Sequence, residues 1–173
     1  MNNLKKIPEQ IDKGLQKMTD FERIQFGLDI CRRLLPDYHD YELKDNWGDA
    51  DTLIKAISFI DNIENHETVD LEKLDLLINM VDKVIPDTED FSDWEVSFAL
   101  NASVSVLELL SYIKDKDYKH IMTISTLMTD NIDFKLHMKN DNISDKEIDN
   151  HPMMIDEFKY QLEMIKYKTA HNK

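Results

Sequence analysis

Apolar side chains recur at helical spacing along nearly the whole chain. Ile7, Ile11, Leu15 and Met18 stand at i, i+4, i+8 and i+11, which places them on one face of an α-helix. The 173 residues include only three glycines and four prolines, and this scarcity disfavours a turn-rich β-sandwich. The sequence therefore predicts an all-α fold, a single-domain bundle of about seven or eight helices.

Capping residues predict where several helices begin. Thr19–Glu22 and Ser144–Glu147 have the capping-box pattern, in which a hydroxyl and a carboxylate three residues later satisfy free amides. Asp49 or Asp51 is expected to cap a third helix, and Asp70 a fourth. The other expected helix starts are Ser92 or Asp93, the region of Asp117, and Pro152, which suits a first helical turn.

Prolines predict where two helices end. Pro36 and Pro86 each follow an apolar helical stripe, and proline lacks the amide hydrogen that an interior helical position requires. The stripes expected to face the core are Phe21, Ile24, Leu28, Cys31 and Leu35 in the second helix, Leu53, Ile54, Ile57, Phe59 and Ile60 in the third, and Leu71, Leu74, Leu77, Ile78, Val81, Val84 and Ile85 in the fourth.

The length predicts one all-helical domain over residues 1–173. A single cysteine excludes an internal disulfide framework and metal sites built from paired cysteines. The N-terminal residues lack the apolar core of a signal peptide, and no run approaches the roughly 20 apolar residues of a membrane span. We therefore expect a cytoplasmic protein.

No residue pattern predicts catalysis, a metal or a cofactor. The three glycines lie too far apart to form a phosphate-binding loop. Asp117-x-x-His120 is a single copy of a pattern that a di-iron bundle needs twice. Cys31 could act as a nucleophile with His39 as its base, but it falls on an apolar stripe where cysteine behaves as a small hydrophobe. We expect no enzymatic activity.

The acidic charge is concentrated in one part of the chain. The net charge is −14, which argues against binding to nucleic acids or anionic membranes. From Pro36 to Val96, 18 acidic residues stand against four lysines and no arginine. A field of this sign attracts a basic partner, although a solvated surface that aids solubility would have the same composition.

A family resemblance narrows these possibilities. The segment CRRLLPDY, from Cys31 to Tyr38, resembles a Cys-x-Arg, two apolar, Pro, Asn/Asp, aromatic signature. Together with Gly48-Asp49, Ile85-Pro86-Asp87 and Asn150-His151-Pro152, it resembles the YjaG-like bacterial family of unknown function from near Thr19 to about Lys168. Ser97-Phe98 stands where that family commonly has Tyr-Pro, so the sequence is diverged. The resemblance implies an all-helical fold and no catalytic residues.

The first functional hypothesis is an immunity protein of a contact-dependent inhibition or polymorphic toxin system. Its carboxylates would take the place of substrate phosphates against the lysines and arginines of a basic toxin nuclease domain, and its aromatic residues would anchor the contact. The candidate partner-binding residues are Asp40, Tyr41, Glu42, Asp45, Trp47, Asp49, Asp51, Asp61, Glu64, Glu67, Asp87, Glu89, Asp90, Asp93 and Trp94.

Two alternatives remain open from the sequence. One is a housekeeping cytoplasmic protein of the YjaG-like type with a regulatory role and no toxin partner. The other is an enzyme, which would need a cluster of polar side chains in a pocket. Substitutions at Cys31, His39 and His120 would test the enzyme alternative.

Overall fold

The computed structural model describes residues 6–64, 69–89 and 94–171. These residues form eight α-helices and no β-strand, which confirms the predicted all-α bundle. The helices are α1 (Ile7–Lys17), α2 (Asp20–Asp45), α3 (Ala50–Glu64), α4 (Leu71–Asp82), α5 (Glu95–Asp115), α6 (Lys119–Lys139), α7 (Asp145–Asp149) and α8 (Pro152–His171).

Helices α2 and α5 form the centre of the bundle and share its most extensive interface. They approach closely at Gly27, where an added Cβ would lie 2.7 Å from Cδ1 of Leu109. Among the described helices, α5 alone is long and apolar enough to cross a membrane by composition, and 67% of that apolar window is buried inside the bundle. Because α5 is apolar on most sides, it fits a central position.

A chain of polar side chains, two of them buried asparagines, connects the three central helices. The Asn101 side-chain amide on α5 donates to Oδ1 of Asn131 on α6 at 2.6 Å. The Asn131 amide then donates to Asp37 on α2 at 2.9 Å, and Lys135 forms an ion pair with the same carboxylate at 3.2 Å. A shift of any of the three helices would leave buried polar groups without partners, so this network favours one packing register.

A second polar network attaches α8 to the centre. Glu157 on α8 is buried and forms an ion pair with Arg33 on α2. Gln161 donates to Glu157 at 2.9 Å and accepts a hydrogen bond from the Ser125 hydroxyl on α6. The Arg33 guanidinium also lies 4.4 Å from the ring centroid of Tyr160. The buried carboxylate of Glu157 is therefore both paired and hydrogen-bonded.

The prediction that Pro36 ends a helix is wrong, because α2 continues through Pro36 to Asp45. Proline inside a helix costs about 3 kcal/mol, since it removes one hydrogen bond and crowds the preceding turn. Pro36 lies on the solvent-exposed side of α2, where the carbonyl that loses its partner can bind water. Beyond it, burial of Tyr38 and Tyr41 offsets the cost. Arg33 consequently lies within the helix and not near its end.

The other predicted helix boundaries agree better with the structure. Both capping boxes are formed, at Thr19 and at Ser144, and α8 begins at Pro152. Asp70 caps α4, which ends before Pro86. The predicted starts at Ser92 or Asp93 lie outside the described residues.

The crossover from α2 to α3 is a tight turn organised around a buried tyrosine. Asn46 has a φ of 51° and Gly48 a φ of 117°, both in the left-handed region. The Tyr38 hydroxyl donates to the carbonyl of Val84 at 2.7 Å and accepts from the amide of Asp49 at 3.2 Å. A Cβ at position 48 would lie 2.8 Å from that hydroxyl, so only glycine fits.

We therefore expect Gly48→Ala to lower the free energy of unfolding by about 1–3 kcal/mol, because alanine adds both backbone strain and a clash with Tyr38. Urea denaturation followed by circular dichroism measures the change. Asn46→Gly is the matched control, since it relaxes the other left-handed residue of the same turn and should not destabilise the protein. A Gly48→Ala variant as stable as the wild type would show that the turn tolerates a side chain.

Candidate functional site

The net negative charge of the chain comes from the acidic segment, which we define as residues 36–96. Its 18 carboxylates and four lysines give −14, which equals the net charge of the whole chain, so the remaining residues are balanced. In the structure this segment contains the last ten residues of α2, all of α3 and α4, and the start of α5. The excess of negative charge is therefore confined to this segment, whereas charges of both signs balance in the other helices.

Tyr41 and Trp47 do not form an exposed aromatic anchor. Tyr41 is only 1% exposed, because the continuation of α2 through Pro36 places it on the inward face with Leu34 and Tyr38. Trp47 is half-buried against the core and meets Tyr41 edge-on, with ring centroids 6.2 Å apart. The expectation that Tyr41 contacts a partner is thus corrected, and Trp47 is only partly exposed.

Several predicted carboxylates are used inside the fold. Glu42 accepts a hydrogen bond from the amide of Ala50 at 3.1 Å. Asp49 caps α3 by accepting from the Thr52 hydroxyl at 2.8 Å and the Thr52 amide at 3.1 Å, and these bonds lower the pKa of Asp49. Removing these groups would therefore weaken α3 itself.

Two further carboxylates are ion-paired or partly buried. Asp61 forms an ion pair with Arg32 on α2. Asp45 is half-buried, and its Oδ2 has no hydrogen-bond partner among the described residues. Neither side chain is freely available to a partner.

Other predicted residues are exposed. The side chains of Asp40, Asp51, Asp87 and Glu89 face solvent, and Asp87 accepts from the amide of Glu89 at 2.9 Å. Trp94 is 51% exposed, with its ring centroid 6.3 Å from that of Phe134. Glu64 is the last residue of α3. Glu67, Asp90 and Asp93 lie outside the described residues.

Large apolar side chains are exposed among these carboxylates. Leu43 is 71% exposed, Ile54 46%, Leu71 63% and Leu76 59%, in addition to Trp94. Sequence reasoning placed Ile54 and Leu71 on buried stripes, and the structure corrects both. It also exposes Phe21, which was expected to face the core. Periodicity indicates a helix, but it does not say how wide a face the neighbouring helices cover.

Comparison with known families identifies the group to which this chain belongs. A family model described as "Protein of unknown function (DUF416)" matches residues 10–173, which is nearly the whole chain. The chain belongs to the DUF416 family. A search of curated proteins found no match to it.

A solved structure has the same fold. The crystal structure of a DUF416 family protein from Shewanella baltica OS155 superposes with a TM-score of 0.81 at 22% sequence identity. The alignment covers 91% of this chain and 83% of the Shewanella chain. At this identity the likeness concerns the fold of the DUF416 protein and not its function.

Cys31 of the DUF416 chain is part of its core. Its side chain is fully buried, and this burial raises the pKa of the thiol to about 12, although Ser105 hydrogen-bonds to it and opposes the shift. A protonated, enclosed thiol is a poor nucleophile. His39 lies instead on the exposed side of α2, 3.4 Å from Glu42. The structure does not bring Cys31 and His39 together, because Cys31 is buried and His39 is exposed about 12 Å further along α2.

His120 lies between two carboxylates where α5 meets α6. Its Nδ1 is 2.6 Å from Glu108 and its Nε2 is 3.1 Å from Asp115. Burial disfavours the charged ring, but the hydrogen bonds and negative charges of the two carboxylates outweigh it, so the pKa of His120 is raised. Each ring nitrogen contacts a carboxylate. His120 is therefore better suited to linking α5 and α6 through ion pairs than to acting as a general base.

An acidic depression outside the acidic segment, which sequence reasoning missed, lies where α6, α7 and α8 meet. It has a volume of about 330 Å³, with Ile148, Met154 and Phe158 among its lining residues. Asp130, Asp133, Asp145 and Asp149 surround it. Burial and the neighbouring Asp133 raise the pKa of Asp130. Among the described residues, no group of three or more His, Cys, Asp or Glu side chains has a metal-binding arrangement.

We expect the stability contributed by His120 to fall as pH rises. Its folded pKa lies above the unfolded value of about 6.5, so the stabilisation is complete below pH ~6.5 and is lost as pH rises through the folded pKa. The effect should stay below about 1 kcal/mol, because the ion pairs are partly solvated. Urea titrations from pH ~5.5 to ~8.5 measure it.

The matched variant is His120→Gln, which can keep one hydrogen bond but has no titrating charge. The difference in free energy of unfolding between wild type and variant should shrink with rising pH, because His120 loses its charge. A difference that stays constant over this range would contradict the raised pKa.

Proposed function

We propose that this DUF416 protein is a non-enzymatic cytoplasmic module that binds a basic protein through its acidic segment. More specifically, the protein would be an immunity protein, which neutralises a basic toxin nuclease domain by covering its active site. One observation carries the proposal: the segment that contains the whole net charge also exposes Leu43, Ile54, Leu71, Leu76 and Trp94.

Exposed apolar side chains among carboxylates are more typical of a protein-binding surface than of a surface that only keeps the protein soluble. Carboxylates alone would keep the protein soluble, but solubility does not require exposed leucine, isoleucine and tryptophan side chains. At protein interfaces, apolar and aromatic side chains provide most of the affinity, whereas surrounding charges speed association and select the partner. The acidic segment has both components.

The charge pattern supports a basic partner of the kind that binds nucleic acid. Nucleases hold phosphates with lysine and arginine, and carboxylates can take the same places through charge-assisted hydrogen bonds. Asp40, Asp51 and Glu89 are exposed and make no side-chain ion pair with a described residue, so they can receive such contacts. Asp49 and Glu42 support the surface from within by holding the start of α3.

A housekeeping role of the YjaG-like type is the second candidate. The family that matches residues 10–173 is described only as of unknown function, and this match is compatible with either candidate. Under this alternative the acidic segment would bind a resident basic protein or only maintain solubility. The two candidates differ in the identity of the partner.

The first experiment measures binding of the purified protein to a panel of basic bacterial nuclease domains by biolayer interferometry. We expect one nuclease to bind tightly at low salt, to bind at least about tenfold more weakly at high salt, and to lose its activity when bound. Asp40→Lys with Asp51→Lys should slow association at least about tenfold, because both carboxylates are exposed and do not cap a helix.

The control is Asp145→Lys with Asp149→Lys on α7, which changes the net charge by the same amount outside the acidic segment. It should change the association rate by less than about threefold. Absence of any nuclease binding at low salt would overturn the immunity role. Salt-sensitive capture of a basic protein that is not a nuclease would favour the housekeeping candidate.

A further inference from the structure

Helices α2 and α3 present a paired ridge of exposed side chains, which we call the α2–α3 face. On α2, every member of this face is exposed; on α3, the members are exposed except for the half-buried Asp61. The α2 members stand at i, i+4, i+7 and i+11, and the α3 members at i, i+3, i+7 and i+10, so each set follows one side of its helix. The members are Arg32, Pro36, His39 and Leu43 of α2, and Asp51, Ile54, Ser58 and Asp61 of α3.

Two contacts hold these ridges side by side and antiparallel. Arg32 forms an ion pair with Asp61 at one end, and Glu42 accepts from the amide of Ala50 at the other. At 1.5 Å per residue, the members of each helix span about 15–17 Å. The face therefore has the length of about three helical turns.

The face combines exposed apolar side chains with neighbouring carboxylates. Pro36, Leu43 and Ile54 supply exposed apolar surface. Asp40 and Asp51 flank it and make no side-chain ion pair with a described residue. The positive charge of Arg32 is compensated by Asp61, and Lys55 lies near Asp49, whose pKa it helps to lower.

The two exposed leucines of α4 do not form a comparable ridge. Leu71 and Leu76 are five residues apart, which corresponds to about 140° around a helix at 100° per residue. Pro36 and Leu43 are seven apart and thus differ by only about 20°. The apolar side chains of α4 consequently point in different directions, whereas those of α2 align.

We infer that the α2–α3 face is the docking site for a basic amphipathic helix of the partner protein. This inference rests on the proposed function and names the surface and the chemistry of the element that it receives. A helix can lie along two antiparallel ridges with apolar residues at i, i+3 or i+4, and i+7 against Pro36, Leu43 and Ile54. Lysines or arginines on its flanks would meet Asp40 and Asp51.

The test uses a synthetic helical peptide of about 18 residues, with leucines at i, i+4, i+7 and i+11 and lysines on both flanks. A scrambled peptide of the same composition controls for charge alone. Titration into the isotope-labelled full-length protein, followed by amide NMR shifts, locates the binding site. We expect the largest shifts in residues 32–43 and 51–61, and at least about fivefold weaker binding of the scrambled peptide.

Matched variants separate this face from the rest of the acidic segment. Leu43→Ser with Ile54→Ser should weaken peptide binding at least about fivefold, whereas Leu71→Ser with Leu76→Ser should change it less than about twofold. All four side chains are exposed, so both double variants should stay folded, as circular dichroism would verify. Largest shifts in α4 or around Asp130, or equal binding of the scrambled peptide, would overturn the inference.

The nuclease measurements distinguish failure of this inference from failure of the proposed function. If a nuclease binds with salt sensitivity but Leu43→Ser with Ile54→Ser leaves its affinity unchanged, the docking site is wrong and the proposed function stands. If no basic protein binds the wild type, both are overturned.

Discussion

The packing of α2 against α5 is the interaction on which the rest of the structure depends. The almost uncharged centre of α5 can be buried on most sides, and Gly27 lets α2 approach it closely. Apolar packing by itself specifies a register poorly, because neighbouring registers bury similar area. The hydrogen bonds from Asn101 through Asn131 to Asp37 remove this ambiguity, since a shifted register would strand buried polar groups.

The continuity of α2 determines where the acidic segment lies. A helix that ended at Pro36 would have released Tyr38 and Tyr41 into a loop and left the carboxylates without a fixed arrangement. Because the helix continues, both tyrosines enter the core and the exposed side chains of the same turns align on one side. The hydrogen bonds of the Tyr38 hydroxyl with Val84 and Asp49 then set the position at which α3 begins.

The acidic segment could be located in the sequence, but the sequence does not show which of its carboxylates are exposed on one surface. Charge counting identifies the region, because all of the net charge falls within it. It cannot separate Asp49, which caps α3, from Asp51, which faces solvent two residues later. It also cannot identify the depression around Asp130, because those carboxylates come from helices whose contacts depend on how α8 returns to the bundle.

By itself, the sequence determined the all-α class, the two capping boxes, the helix starts at Asp70 and Pro152, and the location of the acidic charge, because each depends on near neighbours along the chain. Only the tertiary structure decided that α2 passes through Pro36, that Tyr41 is buried and that Ile54 and Leu71 are exposed. These outcomes depend on contacts between distant segments, whose burial energy can outweigh a local cost of about 3 kcal/mol.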